Sequence, residues 1–303
     1  MHFEVTILGS NGAIPAYDRH PTSHFLNYNG DGFLLDCGEG TQIQMSRHNI
    51  KRGRLDHVFI THLHGDHFFG MMGLITSFNL NYREHTLHIH GPLGIEEIVN
   101  AHFKYAQTQL KYPIEFHVIT DDRPRLVFEN NALTVESIIL KHRIPTTGFL
   151  FREKTGMRKI LPEKIALHQI PVQDISRIKQ GADYTQSDGS VIANKEMTAD
   201  PAPARSYAFC TDTVYNESIL DQIQGVSVLY HEATFLNMHK DRAAETLHST
   251  TGEAATIASK AQVGKLIIGH YSARYEDLAP MLAECQEVFL NTELAIEGKS
   301  YTI

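Results

Sequence analysis

Three histidines and an aspartate crowd into the short run His62-Leu63-His64-Gly65-Asp66-His67. Imidazole nitrogen mixed with carboxylate oxygen is the donor set for zinc or a similar first-row dication. His62 and His64 are two apart, so on an extended segment both rings project to one side. Asp66 and His67 follow on a turn and face a neighbouring point, which suits two ions side by side. One histidine alone would read as an ordinary strand-end residue. Four such groups buried unpaired would be costly, so the run reads as a metal site.

The elements that must position these side chains alternate along the chain. The apolar, β-branched stretch Val58 to Thr61 predicts a buried strand ending in the cluster, and Phe68 to Phe78 predicts a helix leaving it. Upstream, Phe3–Leu8 and Ser23–Tyr28 read as strands, Asn29-Gly30-Asp31-Gly32 as a hairpin turn, and Phe33-Leu34-Leu35 as the returning strand. Three further polar residues sit where strands are expected to end: His142 after Leu133–Leu140, Asp212 after Ser206–Cys210, and His270 after Lys265–Ile268. Strand ends on one rim of a sheet converge, so these can meet the first cluster. Taken singly, each could equally be a hydrogen-bonded strand-end residue. Thr250-Thr251-Gly252-Glu253 matches a capping box opening a helix.

With 303 residues, 42% hydrophobic and 20% charged, the chain has the composition of an ordinary globular protein with room for one large α/β domain. Three scattered cysteines, Cys37, Cys210 and Cys285, argue against a disulfide framework and fit a reducing, cytoplasmic setting. The N-terminal stretch reads as a strand rather than a signal peptide, and no stretch is long and apolar enough to span a membrane. The net charge of −8 speaks against a polyanionic partner, but its distribution does not: from Arg152 to Lys179 seven basic residues face three acidic ones. That stretch lies in 152–205, a polar segment nearly free of aromatics that reads as a long surface insertion.

The pattern H-x-H-x-D-H resembles the hallmark of the metallo-β-lactamase superfamily. The resemblance implies an αββα sandwich with a dimetal centre at one edge. His231-Glu232-Ala233-Thr234 and His248-Ser249-Thr250 are similar to the HEAT and HST motifs of the ribonuclease Z family, which trims the 3′ trailer from precursor transfer RNA. Asp36-Cys37-Gly38-Glu39-Gly40-Thr41-Gln42 and Asp277 after His270-Tyr271-Ser272 also look like that family, in its short form.

The resemblance implies that His62, His64 and His142 hold one ion and Asp66, His67 and His270 the other. Asp212 would bridge them, with Asp36 orienting a ligand from behind. Two zinc ions per subunit are expected, manganese or iron being compatible with the same donors. The expected chemistry is phosphodiester hydrolysis by a water held near Asp66 and Asp212. His248 would protonate the leaving 3′-oxygen while Glu232 holds its imidazole, and His231 would support the same rim. The family carries an RNA-gripping exosite arm where 152–205 lies. Arg158, Lys159, Lys164, Arg177 and Lys179 would contact the phosphate backbone there, and Arg19 near the cleavage point. A homodimer is implied, one subunit's arm clamping RNA bound to the other.

Two departures from the family pattern stand out. The arm lacks the Gly-Pro step, reading Gln169-Ile170-Pro171-Val172-Gln173-Asp174. The loop P-x-K-x-R-N appears as Pro15-Ala16-Tyr17-Asp18-Arg19-His20, without its lysine and asparagine. The alternatives are a dimetal hydrolase of small phosphodiesters, sulfate esters or lactones, and a non-catalytic RNA-binding protein that kept the fold.

Overall fold

A computed structural model describes residues 2–120 and 122–303. Strands β1 (Phe3–Gly9), β2 (Ser23–Tyr28) and β3 (Asp31–Leu35) form an antiparallel meander. Asn29 and Gly30 turn the second hairpin with φ of 52° and 97°, left-handed values that this pair adopts at low cost. Helix α1 (Thr41–Arg47) leads to β4 (Leu55–Phe59), which lies parallel to β3. Then come α2 (Gly65–Phe68), α3 (Met71–Leu80), β5 (Leu87–Gly91), α4 (Ile95–Tyr105) and β6 (Ile114–Val118). The second sheet opens with β7 (Leu126–Glu129), β8 (Leu133–Leu140) and β9 (Thr146–Glu153).

Residues 152–205, with 131–133, make a second compact unit. It holds two short ladders, β10 (Lys159–Ile160) with β13 (Thr198–Ala199) and β11 (Tyr184–Thr185) with β12 (Val191–Ile192). Helices α5 (Pro162–Leu167), α6 (Val172–Lys179) and α7 (Asn194–Met197) complete it. Its polar composition conceals a small core of Ile170, Ile178, Tyr184, Ile192 and Met197. Asn194 ties this core together, its amide donating to the carbonyls of Ile178 (2.6 Å) and Ala182 (2.8 Å).

The main unit resumes with β14 (Ser206–Cys210), α8 (Leu220–Ile223), β15 (Val228–Glu232), α9 (Lys240–Thr246), α10 (Thr251–Lys260) and β16 (Lys265–Gly269). It closes with α11 (Ala279–Gln286), β17 (Thr292–Leu294) and β18 (Ser300–Thr302). Its two sheets each have seven strands, in the orders β18-β1-β2-β3-β4-β5-β6 and β17-β16-β15-β14-β9-β8-β7. They meet face to face: His24 of β2 bonds the Tyr207 hydroxyl of β14 (2.9 Å), and Phe33 and Phe59 pack edge-on against Phe151. Leu74 and Ile75 of α3 and Val99 of α4 cluster with Leu34, Val58 and Ile89 of the first sheet, while α10 and α11 lie on the second. This is the expected αββα layering. With both faces covered, β15 and β16 read as continuous apolar runs, Val228-Leu229-Tyr230 and Leu266-Ile267-Ile268. Among the described residues no helix is long and apolar enough to cross a membrane.

Two sequence expectations shift. The strand expected over 58–61 is β4, which ends at Phe59, because the Thr61 N–H donates to the Asp36 carboxylate (2.8 Å) and not to a neighbouring strand. The helix expected over 68–78 is two helices. Gly70 stands between them, its N–H on the Cys37 carbonyl (2.9 Å), and a Cβ there would lie 2.2 Å from the Gly38 oxygen.

Candidate metal centre

All the strand-end residues singled out from the sequence meet on one rim of the sandwich. Around one point stand His62 Nε2, His64 Nδ1, His142 Nε2 and Asp212 Oδ2. The His62–His64 and His142–His64 nitrogens are 3.0 and 3.3 Å apart, and both Nε2 atoms are 3.6 Å from the aspartate oxygen. Around a second point stand His67 Nε2, His270 Nε2, Asp66 Oδ2 and Asp212 Oδ1. The imidazoles lie 3.2 and 3.1 Å from Asp212 and 3.3 and 3.5 Å from Asp66. Asp212 therefore gives one oxygen to each group. The set spans both sheets, since His62 to His67 follow β4 while His142, Asp212 and His270 follow β8, β14 and β16.

The residues behind the cluster fix which nitrogen each ring presents. Asp36, fully buried, accepts from His67 Nδ1 (2.7 Å) and from the Thr61 hydroxyl (3.0 Å). That hydroxyl, having donated, accepts from His62 Nδ1 (3.0 Å). Glu232 repeats the arrangement on the other sheet: the Thr234 hydroxyl donates to it (2.6 Å) and accepts from His270 Nδ1 (2.9 Å). His142 Nδ1 donates to the Leu247 carbonyl (3.0 Å). Four rings thus have Nδ1 committed behind the cluster, which turns each Nε2 towards it. Second partners of this kind raise ligand basicity and orient the ring.

The fit to metal ions rests on two further observations. His67 Nε2 and His270 Nε2 are buried without a hydrogen-bond partner, although carboxylate oxygens lie within 3.1–3.5 Å of them. Lone pairs aimed at a shared point leave such atoms unbonded to one another. The three carboxylates of Asp212, Asp66 and Asp36 also overcome complete burial to hold the His67 imidazole pKa well above its ordinary value. That concentration of negative charge calls for a cation.

Glu232 is the hub of the adjoining site. It is fully buried, and it accepts from the Thr213 N–H (2.7 Å), the Ser249 N–H (3.0 Å) and His248 Nδ1 (2.7 Å). Burial pulls the His248 pKa down, but the Glu232 carboxylate outweighs it and the group is pushed up to about 9. His248 is an imidazolium at neutral pH, on the wall of the cleft that holds the metal groups. The cleft, about 760 Å³, is also lined by Phe69, Phe235 and three arginines, Arg143, Arg242 and Arg274. The sequence reading took its RNA-binding bases from the 152–205 segment and from Arg19, and did not include these arginines. Arg143, directly after His142, was the available signal.

Other expected site residues lie apart. His231 is fully buried, its Nδ1 donating to the Glu232 carbonyl (2.7 Å), and belongs to neither metal group. Arg19 gives its nitrogens to protein acceptors, Nε to Asn11 (3.0 Å) and the others to the carbonyls of Glu276 (3.1 Å) and Tyr275. In the second unit, Arg158 bonds the Thr198 hydroxyl (2.7 Å) and pairs with Asp200, and Arg177 pairs with Asp174 (3.3 Å). Lys159 is exposed, and Lys164 and Lys179 are half-buried.

Comparison with known proteins bears on this geometry. Residues 3–157 match the family model described as anti-Pycsar protein Apyc1. The chain is 44% identical to ribonuclease Z of Bacteroides thetaiotaomicron, over 99% of this chain and 95% of that protein. It is also 44% identical to ribonuclease Z of Bacteroides fragilis, over 98% and 97%. Among solved structures it resembles the short form of human tRNase Z, with a TM-score of 0.72, 26% identity and 99% of each chain covered. These likenesses do not favour a hydrolase of small esters.

Proposed function

The chain belongs to the ribonuclease Z family and, through residues 3–157, to the family described as anti-Pycsar protein Apyc1, and from that membership we propose how it works. It is an endoribonuclease that hydrolyses one phosphodiester of precursor transfer RNA, releasing the 3′ trailer and leaving a 3′-hydroxyl. The observation that carries the reading is the convergence of two His/Asp groups on Asp212 beside the Glu232–His248 pair, in a cleft lined by arginines. Such sites bind two divalent cations, zinc by donor type, with His62, His64 and His142 around one, Asp66, His67 and His270 around the other, and Asp212 shared. The chemistry such ions supply when bound is a lowered water pKa and neutralisation of phosphate charge.

The chain's own residues do the rest. Asp66, held by the Ala13 N–H (2.7 Å), and Asp212 orient the attacking water. Arg143, Arg242 and Arg274 hold the scissile phosphate and its neighbours. His248 enters the reaction protonated and gives its proton to the departing 3′-oxygen, while Glu232 fixes the ring and bears the compensating charge. Arg19 acts by bracing its loop rather than by touching RNA. The 152–205 unit grips the RNA backbone, Lys159, Lys164 and Lys179 supplying charge, in a cytoplasmic homodimer whose subunits each hold the RNA bound to the other. The test is incubation with a 3′-extended precursor transfer RNA, with and without added metal. A single cut leaving a 3′-hydroxyl is expected, and an intact precursor under metal-replete conditions would refute the reading.

A further inference from the structure

A second concentration of imidazoles lies on the inner face of the first sheet, away from the rim. The register of the parallel strands β4, β5 and β6 stacks it in two rows, His57–His88–Glu115 and Phe59–His90–His117. Because side chains two apart on a strand share a face, all six project to the same side. His88 Nδ1 is 3.1 Å from His117 Nε2 and 3.4 Å from Glu115 Oε2, so one nitrogen faces two donor atoms on the edge strand. Neighbouring rings hold these two imidazoles flat: His57 stacks on His88 at 4.7 Å and 14°, and His90 stacks on His117 at 4.5 Å and 14°. His57 and His90 are in turn joined by a nitrogen–nitrogen contact of 3.1 Å.

We propose that His88, Glu115 and His117 form a further divalent-metal site, taking a zinc-class ion independently of the pair at Asp212. Three arguments support it. Two imidazoles and a carboxylate are a complete zinc-type donor set with a position left for water. A tetrahedral ion with bonds of about 2.0–2.1 Å separates its donors by roughly 3.3 Å, close to the spacings found here. Direct hydrogen bonding satisfies the set less well, since one proton on His88 Nδ1 serves either His117 or Glu115. The ligands are reachable, the side chains of His88 and Glu115 being 27% and 59% exposed. A bound ion would tie β5 to β6, the last strand in the order of its sheet.

The test measures metal uptake and needs no RNA, so it stands or falls apart from the proposed cleavage activity. Enzyme saturated with Zn2+, and separately with Co2+, is compared with the His88→Gln/His117→Gln double variant by equilibrium dialysis at micromolar free ion and elemental analysis. The wild type should hold one more equivalent per chain than the variant, and added zinc should raise its melting temperature further than it raises the variant's. Glu115→Gln, a change at an exposed side chain that leaves the fold alone, should weaken uptake at this site by roughly 10–100-fold or more. Cleavage of precursor RNA should be unchanged in all of them. Equal metal content in wild type, double variant and Glu115→Gln would overturn the site.

Discussion

Asp36, Asp212 and His270 all adopt left-handed backbone, with φ of 55°, 47° and 58°. Each non-glycine residue held there costs about 1–3 kcal/mol, strain that surrounding structure must offset. All three sit just past a strand, and the turn carries the side chain into the cluster. Replacing Asp212 by alanine should therefore remove an oxygen from both groups, and metal content and turnover should fall together. His248→Ala should behave differently. Although His248 lies close enough to Asp212 and His270 to share an ion with them, as an acid it should leave metal content near normal while turnover falls roughly 10²–10⁴-fold. Elemental analysis beside single-turnover cleavage separates the two, and loss of both ions from His248→Ala would make it a ligand instead of an acid. Residue types and spacings singled out the His62–His67 run, and the strand-end positions of His142, Asp212 and His270 suggested that they could meet it. Neither could reveal the Thr61 and Thr234 hydroxyls that set the imidazole tautomers, because that role depends on which proton is already committed across 25 and 36 residues of chain.

Elements whose ends are set by apolar patterning were legible, and those set by tertiary contacts were not. Strands β8 and β14 fall where the sequence reading places them, over Leu133–Leu140 and Ser206–Cys210. The split between α2 and α3 depends on the Cys37–Gly38 backbone passing beside Gly70, which no local pattern records. The 152–205 unit reads from sequence as a surface insertion because its core is only a few isoleucines, a tyrosine and a methionine spaced over 28 residues. Its deletion should weaken cleavage of precursor transfer RNA, most at low salt and less as salt rises, yet spare hydrolysis of a small diester. Equal loss on both substrates would make it a structural element only. The loop at 15–20 carries a subtler expectation. Tyr17 is about half exposed at its tip, under the Arg19 guanidinium at 5.1 Å, and can stack an unpaired base. His20 is held inward by Glu297 (2.8 Å) and offers nothing to substrate. The family loop that 15–20 resembles implies a role in keeping ends that already carry CCA from being cut; lacking its lysine and asparagine, this chain should reject such transfer RNA only weakly, and Tyr17→Lys should sharpen the rejection. A strong CCA block that this change leaves unaltered would place the selectivity elsewhere.

On the scale of the whole molecule, the metal groups fasten one sheet to the other. His62, His64, Asp66 and His67 leave the first sheet, while His142, Asp212 and His270 leave the second. The interior between them is already well packed by aromatic contacts, so the rim does not have to supply cohesion. What it contributes is relief of its own cost. Asp36, Asp212, His62, His67 and His270 are almost wholly buried, and carboxylates brought so close repel one another unless a cation lies among them. Ions that bind the folded chain and not the unfolded one stabilise it by mass action, about 2.7 kcal/mol at a hundredfold excess over the dissociation constant. In a domain of this size each kcal/mol moves the melting temperature by roughly 2–4 °C or less. Exhaustive chelation should thus lower the melting temperature by several degrees, and zinc should restore it. Asp36→Asn, which removes the charge and leaves one acceptor oxygen where Thr61 N–H and His67 Nδ1 now use two, should reduce that metal-dependent increment by weakening the ligands it supports. The measurement is calorimetry on metal-free and reloaded protein, with metal content checked on each sample. Identical melting of ion-free and zinc-loaded wild type would mean that the buried charges are compensated by the protein alone, and the two-ion reading of the rim would fail with it.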